Sequence, residues 1–105
     1  MHSRLARTAF LFALLVSAGC GASLYVPEPR DASANASLED LIRGREIYTQ
    51  RCARCHSLFL PDRFSMAQWK TSLDKMQPRA RISDTEKELI LKMILAGKLR
   101  GNRRD

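Results

Sequence analysis

Cys52-Ala53-Arg54-Cys55-His56 is the stretch on which the reading of this chain turns. Two thiols three positions apart can add to the two vinyl groups of one haem, and the adjoining imidazole can bind iron from one face of the same macrocycle. Two rival chemistries share the spacing. A redox dithiol of the thioredoxin kind wants a neighbouring strand and alternating layers, and the sequence offers neither. A closed zinc site wants four ligands, and Cys52, Cys55 and His56 leave the fourth without a Cys or His in the segment expected to fold. The expected cofactor is one covalently bound haem c per chain.

Upstream of this motif the chain reads as exported. Its 105 residues, with a net charge of +7, have room for one small domain and exclude two catalytic ones. Residues 1–19 carry a basic segment ending at Arg7, an apolar run from Ala9 to Val16 and small residues Ser17-Ala18-Gly19 before Cys20, which is the layout of an export signal. The apolar run is too short to span a membrane as a helix. Removing residues 1–19 leaves 86 residues with 16 basic and 11 acidic side chains, or +5. Export makes nucleic acid an unexpected partner. The positive balance suits steering toward an acidic protein surface or anionic headgroups, and a merely solvated basic surface is the plain alternative.

The stretch Val16 to Cys20 resembles a bacterial lipoprotein signal, in which the cysteine takes a diacylglyceryl group, becomes the first residue and is N-acylated. That resemblance implies lipidation of Cys20, contact with a bacterial membrane and, with Gly21 rather than an acidic residue next, a periplasm-facing position on the outer membrane. Two or three acyl chains would anchor the protein stably. The rival is ordinary signal cleavage before Gly19, with Val16 and Ala18 at the small-residue positions.

The mature chain divides into a Pro- and Ala-rich tether over 20–36, a helical domain over 37–97 and a basic tail over 98–105. Ser37 and Asp40 have capping-box spacing, and Leu38, Leu41, Ile42 and Tyr48 give an incomplete apolar face to a helix over 38–51. Gly44 inside it suggests a close backbone crossing, against an ordinary exposed glycine. Ser65 and Gln68 open a second helix, with Phe64 and Trp69 at the staple positions and Met66, Trp69, Leu73 and Met76 on one face, stopped soon after by Pro78. Ser83 and Glu86 open a third, from Asp84 to about Ala96, which buries Leu89, Ile90, Met93 and Ile94 and ends at Gly97. The expected fold is all-α. A domain of about 60 residues has a thin core and commonly needs a cross-link or cofactor, which a covalent haem would supply.

Counting narrows the second axial ligand. His2 lies in the leader and His56 is already used, so a thioether or an open position remains. Met76, 20 residues beyond His56 at the end of its stripe, is the first choice, with Met66, Met93 or no ligand as alternatives. Trp69 is expected to pack against the porphyrin or close its edge, alongside simple anchoring through Phe64. Pro61 either offers its carbonyl to the imidazole or shapes the turn.

These residues resemble the class I cytochrome c superfamily in its small bacterial monohaem form. Beyond the haem motif, Gly44 and Tyr48 stand at the offsets, eight and four residues before the first haem cysteine, where that family has a glycine and an aromatic. The resemblance implies that they contact a final helix through Leu89, Ile90, Met93 and Ile94. The stretch from Trp69 to Met76, followed by Ile82-Ser83-Asp84, is similar to a subgroup with tryptophan seven residues before a distal methionine, which implies that role for Met76. The chain departs from longer members in its short His56-to-Met76 connection, and its last helix lacks the usual aromatic. The function implied is one-electron transfer in the periplasm between protein donor and acceptor, without enzymatic activity. The alternative is a haem-based sensor or a non-catalytic electron-transfer subunit of a respiratory complex.

Overall fold

Three serines set where the helices begin. In the computed structural model, which describes residues 23–103, α1 (Leu38–Ile47), α2 (Met66–Ala80) and α3 (Asp84–Asn102) each follow a serine whose hydroxyl accepts from the third helical N–H. The N–H groups of Asp40, Gln68 and Glu86 donate to Ser37, Ser65 and Ser83 at 3.1, 3.2 and 3.1 Å, and each third residue's side chain accepts from the serine N–H in return. A cap of this kind contributes about 1 kcal/mol, enough to position short helices whose other stabilisation comes from packing. The fold is a small all-α domain. Among the described residues the only β pairing is an isolated bridge between Ser33 and Ala36.

α1 and α3 form the principal helix pair, and Gly44 is the reason they can approach. A Cβ at position 44 would stand 2.8 Å from the Leu89 carbonyl carbon, closer still to its oxygen, and 3.0 Å from Met93 Cβ. The core gathers around this crossing. Ile47, Tyr48, Ile90, Met93 and Ile94 meet Trp69 and Leu73 of α2, all essentially excluded from solvent. Ile42, expected on the buried face of α1, is instead 42% exposed, and Ile47 takes its place.

The end of α1 widens. Tyr48–Cys52 forms one π-helical turn, reaching Cys52 as the sequence suggests and burying both Tyr48 and Cys52. Such turns interrupt the regular ladder and occur often at functional sites. α2 continues two residues past Pro78, and its actual stop is Arg81 in the left-handed region (φ 53°), whose N–H donates to the Gln77 carbonyl.

Two boundaries differ from the sequence expectation. Gly97 does not end α3, which runs to Asn102 and takes in the start of the supposed basic tail. Position 97 is small because other parts of the chain pack there: a Cβ would lie 2.6 Å from the Tyr25 ring and 2.7 Å from Pro61. That packing outweighs glycine's helix penalty of about 1 kcal/mol.

Nor does the described part of the supposed tether, residues 23–36, hang loose. The Tyr25 hydroxyl donates to the Met93 carbonyl, Arg45 Nε donates to the Tyr25 carbonyl at 2.9 Å, and Arg100 donates to the Val26 carbonyl at 2.9 Å. An irregular segment docks only if its backbone groups find partners, and here arginines provide them. Asp31, its side chain fully buried, accepts from the Glu28 N–H at 2.8 Å and faces Arg100 at 3.6 Å and Arg103 at 3.4 Å. The Arg100 guanidinium also lies over the Tyr25 ring. We call this segment the arm.

Gly44→Ala should lower stability by about 1–3 kcal/mol despite alanine's better helix propensity, because the new methyl meets backbone rather than a side chain that can move aside. Urea unfolding checks this, and an unchanged midpoint would deny the close crossing. Burial, then the nearby Cys52, pushes the Tyr48 phenol up to about 12, and burial followed by Asp31 does the same to Tyr25. An unfolded tyrosine titrates near ~10, so this stabilisation is complete below that pH and is lost as pH rises through the folded values. Tyr48→Phe should therefore lose less stability than the parent between pH 9 and 12 (about the range between the two states). Parallel losses in the two proteins would contradict the assignment.

Candidate functional site

The Cys52-to-His56 segment leaves the core at the π turn. Cys52 stays buried, whereas Cys55 and His56 are exposed, with the Cys55 N–H turned back on the Cys52 carbonyl at 3.5 Å. Burial, and then the neighbouring Cys55, hold the Cys52 thiol above its ordinary pKa and so keep it protonated. His56 Nδ1 lies 2.7 Å from the Ser57 carbonyl oxygen. A carbonyl can only accept, so Nδ1 carries a proton, and in the neutral ring the lone pair is then on Nε2, the tautomer a metal ligand needs.

A row of aromatic side chains ties this segment to the core. The His56 ring centroid is 5.4 Å from Phe59, Phe59 is 5.3 Å from Phe64, and Phe64 is 5.3 Å from Trp69, which meets Tyr48 edge-on at 6.2 Å. The Tyr48 hydroxyl donates to the Phe59 carbonyl, fixing the loop from its other side.

Cys52, Cys55 and His56 open onto one cleft together with Met76. Arg51 completes the α1 wall, and Arg79 and Ala80 complete the α2 wall. Met76, Arg79 and Ala80 share a helix face at offsets of three and four. The cleft encloses about 480 Å³ of empty space, part of it continuous with solvent, and its lining is mainly apolar. Among the described residues no three His, Cys, Asp or Glu side chains converge as an ion-binding group. The candidate donors are instead shared between the two walls of the cleft.

The donor set fits a haem c. Two thiols stand at one wall with an imidazole beside them, and a neutral thioether comes from the other helix, the pairing that suits haem iron. The cleft they share is mainly apolar and partly open to solvent.

The other candidates lie elsewhere. Trp69 does not line the cleft: it is buried between Tyr48 and Phe64, and its Nε1 donates to the Pro61 carbonyl at 2.9 Å. That bond occupies the Pro61 carbonyl, while the imidazole takes the Ser57 carbonyl. Met93 is fully buried at the helix crossing, and Met66 packs against the core at the start of α2, so Met76 alone of the three borders the cleft. The sequence reading missed Arg51 and Arg79. Arg79 was within reach of it, because three residues past Met76 is the same face of one helix.

Cys20 and the export signal over 1–19 fall outside the described residues, as do 104 and 105. No helix among the described residues is long and apolar enough to cross a membrane. No family model matches the chain, and no curated protein or solved structure matches it either.

Proposed function

We propose that this chain is an exported bacterial one-electron carrier that holds a single c-type haem, with no catalytic role of its own. The carrying observation is the common cleft: Cys52, Cys55 and His56 from the end of α1 face the same space as Met76 from α2, although 20 residues separate the imidazole from the thioether. In this reading Cys52 and Cys55 hold the macrocycle as thioethers, His56 is the proximal ligand through Nε2, and Met76 is the distal one. When bound, the haem supplies reversible one-electron exchange at iron.

The chain's own residues set the conditions for that exchange. Ser57 fixes the His56 tautomer, the aromatic row limits movement of the ligand loop, and the apolar wall lowers the dielectric around the iron. A thioether ligand favours the ferrous state and raises the potential. Arg51 and Arg79 flank the cleft with positive charge and draw an acidic protein donor or acceptor toward it. In the same reading the chain is membrane-bound through lipid on Cys20 and faces the periplasm.

Met76→Ala should abolish the sulfur-to-iron absorption feature at the red edge of the visible spectrum, lower the reduction potential and admit carbon monoxide rapidly to the reduced protein. Absorption and magnetic circular dichroism of the two oxidation states read all three effects when combined with redox titration. Survival of the feature in Met76→Ala would remove this residue from the iron, and rapid carbon monoxide binding by the parent would favour a sensor.

A further inference from the structure

The arm and the cleft lie at opposite ends of α3. The last turns of α2, which carry Met76, pack against the start of α3 through Gln77 to Asp84 and Asp74 to Lys87, both at 2.8 Å. Ser23, where the described chain begins, borders a pocket with Tyr25, Asp62 and Gly101 near the other end. The 19 residues of α3 put about 28 Å between its two ends.

That far end carries apolar side chains in water. Leu95 and Leu99, one turn apart on α3, are 44% and 52% exposed, and Val26 on the arm is 62% exposed. Leu99 borders a groove with Arg30 and Arg103. The carboxylates nearby are already engaged: Glu28 pairs with Arg30 and Arg100, and Asp31 with Arg100 and Arg103. Arg30, Arg100 and Arg103 outnumber these two carboxylates, so the rim keeps a net positive charge, and exposed leucines beside it are complementary to the boundary between acyl chains and anionic headgroups.

The length of the preceding chain says which occupant reaches this patch. Only three residue steps separate Cys20 from Ser23, a span of at most about 11 Å. Because the arm is docked, a lipid on Cys20 cannot swing the domain about a long leash. We propose that Arg30, Leu95, Leu99 and Arg103 form a face that rests on an anionic bilayer and turns the cleft toward the aqueous side. The inference rests on the reading of Cys20 as the acylated residue, not on the identity of the cofactor. It specifies that redox partners approach from the solvent rather than along the membrane.

The test uses the full chain, processed by its own signal, purified from membranes and reconstituted in phosphatidylglycerol-containing vesicles that carry a nickel-chelating headgroup. Nitroxide labels are placed at Leu99→Cys and at Thr85→Cys in the first turn of α3, and the parent chain corrects for any label at Cys52 or Cys55. Relaxation by nickel should be several-fold stronger at position 99 than at 85. Exchanging Leu95 and Leu99 for serine, with the label moved to the exposed Asn102→Cys, should shrink the contrast between the two ends without changing the melting temperature. Equal relaxation at both ends, or self-association abolished by the serine changes, would overturn the face while leaving acylation intact. The mass of the mature N-terminus is read separately: an unmodified peptide starting at Gly19 would remove the anchor and the proposal with it.

Discussion

The close contact between Gly44 and the Leu89 carbonyl determines how everything else is placed. Backbone meets backbone there, so the distance between α1 and α3 is set by the absence of a side chain rather than by how side chains interdigitate. With that separation fixed, the end of α1 lies against Ile90, Met93 and Ile94, and the π turn can bury Tyr48 and Cys52 on one side while presenting Cys55 and His56 on the other. α2 then closes the arrangement. Trp69 fills the space left by the crossing, and its indole N–H secures the Pro61 carbonyl in the loop that follows the histidine. A substitution at position 44 therefore reaches the cleft without touching it.

A second constraint comes from the arm. So small a three-helix domain has few residues to spare for its core, and the arm adds the Tyr25 ring against Gly97 and covers the second small cluster around Leu41 and Ala96. Its attachment depends on arginines that satisfy irregular backbone. Arg100 is the most heavily used, with a hydrogen bond to the Val26 carbonyl, ion pairs to Glu28 and Asp31 and stacking on Tyr25, although its own Nε is buried without a hydrogen-bond partner. Leaving one N–H unsatisfied costs on the order of 1–3 kcal/mol, which the remaining contacts of this side chain must offset.

Features with local causes were legible in the sequence. Ser37, Ser65 and Ser83 cap the three helices in reciprocal boxes, Phe64 and Trp69 make the staple contact, and Gly44 marks the crossing, because each depends on residues a few positions apart or on a side chain that is missing. Tertiary contacts decided what was not legible. Gly97 looks like a helix stop until Tyr25 and Pro61 are placed beside it, and the arm has no periodicity because its partners lie 20 to 74 residues away. Of the two roles expected for Trp69, the structure shows the anchoring through Phe64, and the indole lies away from the cleft with its N–H on the Pro61 carbonyl. For the site, the motif marked one wall and Met76 the other. Their meeting in one cleft is information that only the packing of α1 and α2 on α3 supplies.

The central proposal is chemical: Cys52 and Cys55 would each hold one haem through a thioether, with His56 beside them as the iron ligand. Intact-mass analysis of the mature exported protein, with and without thiol alkylation, tests it most directly. The account predicts a mass of polypeptide and any N-terminal lipid plus one haem, with neither Cys52 nor Cys55 open to alkylation. A folded mature protein that lacks the haem mass and alkylates at both cysteines would contradict it.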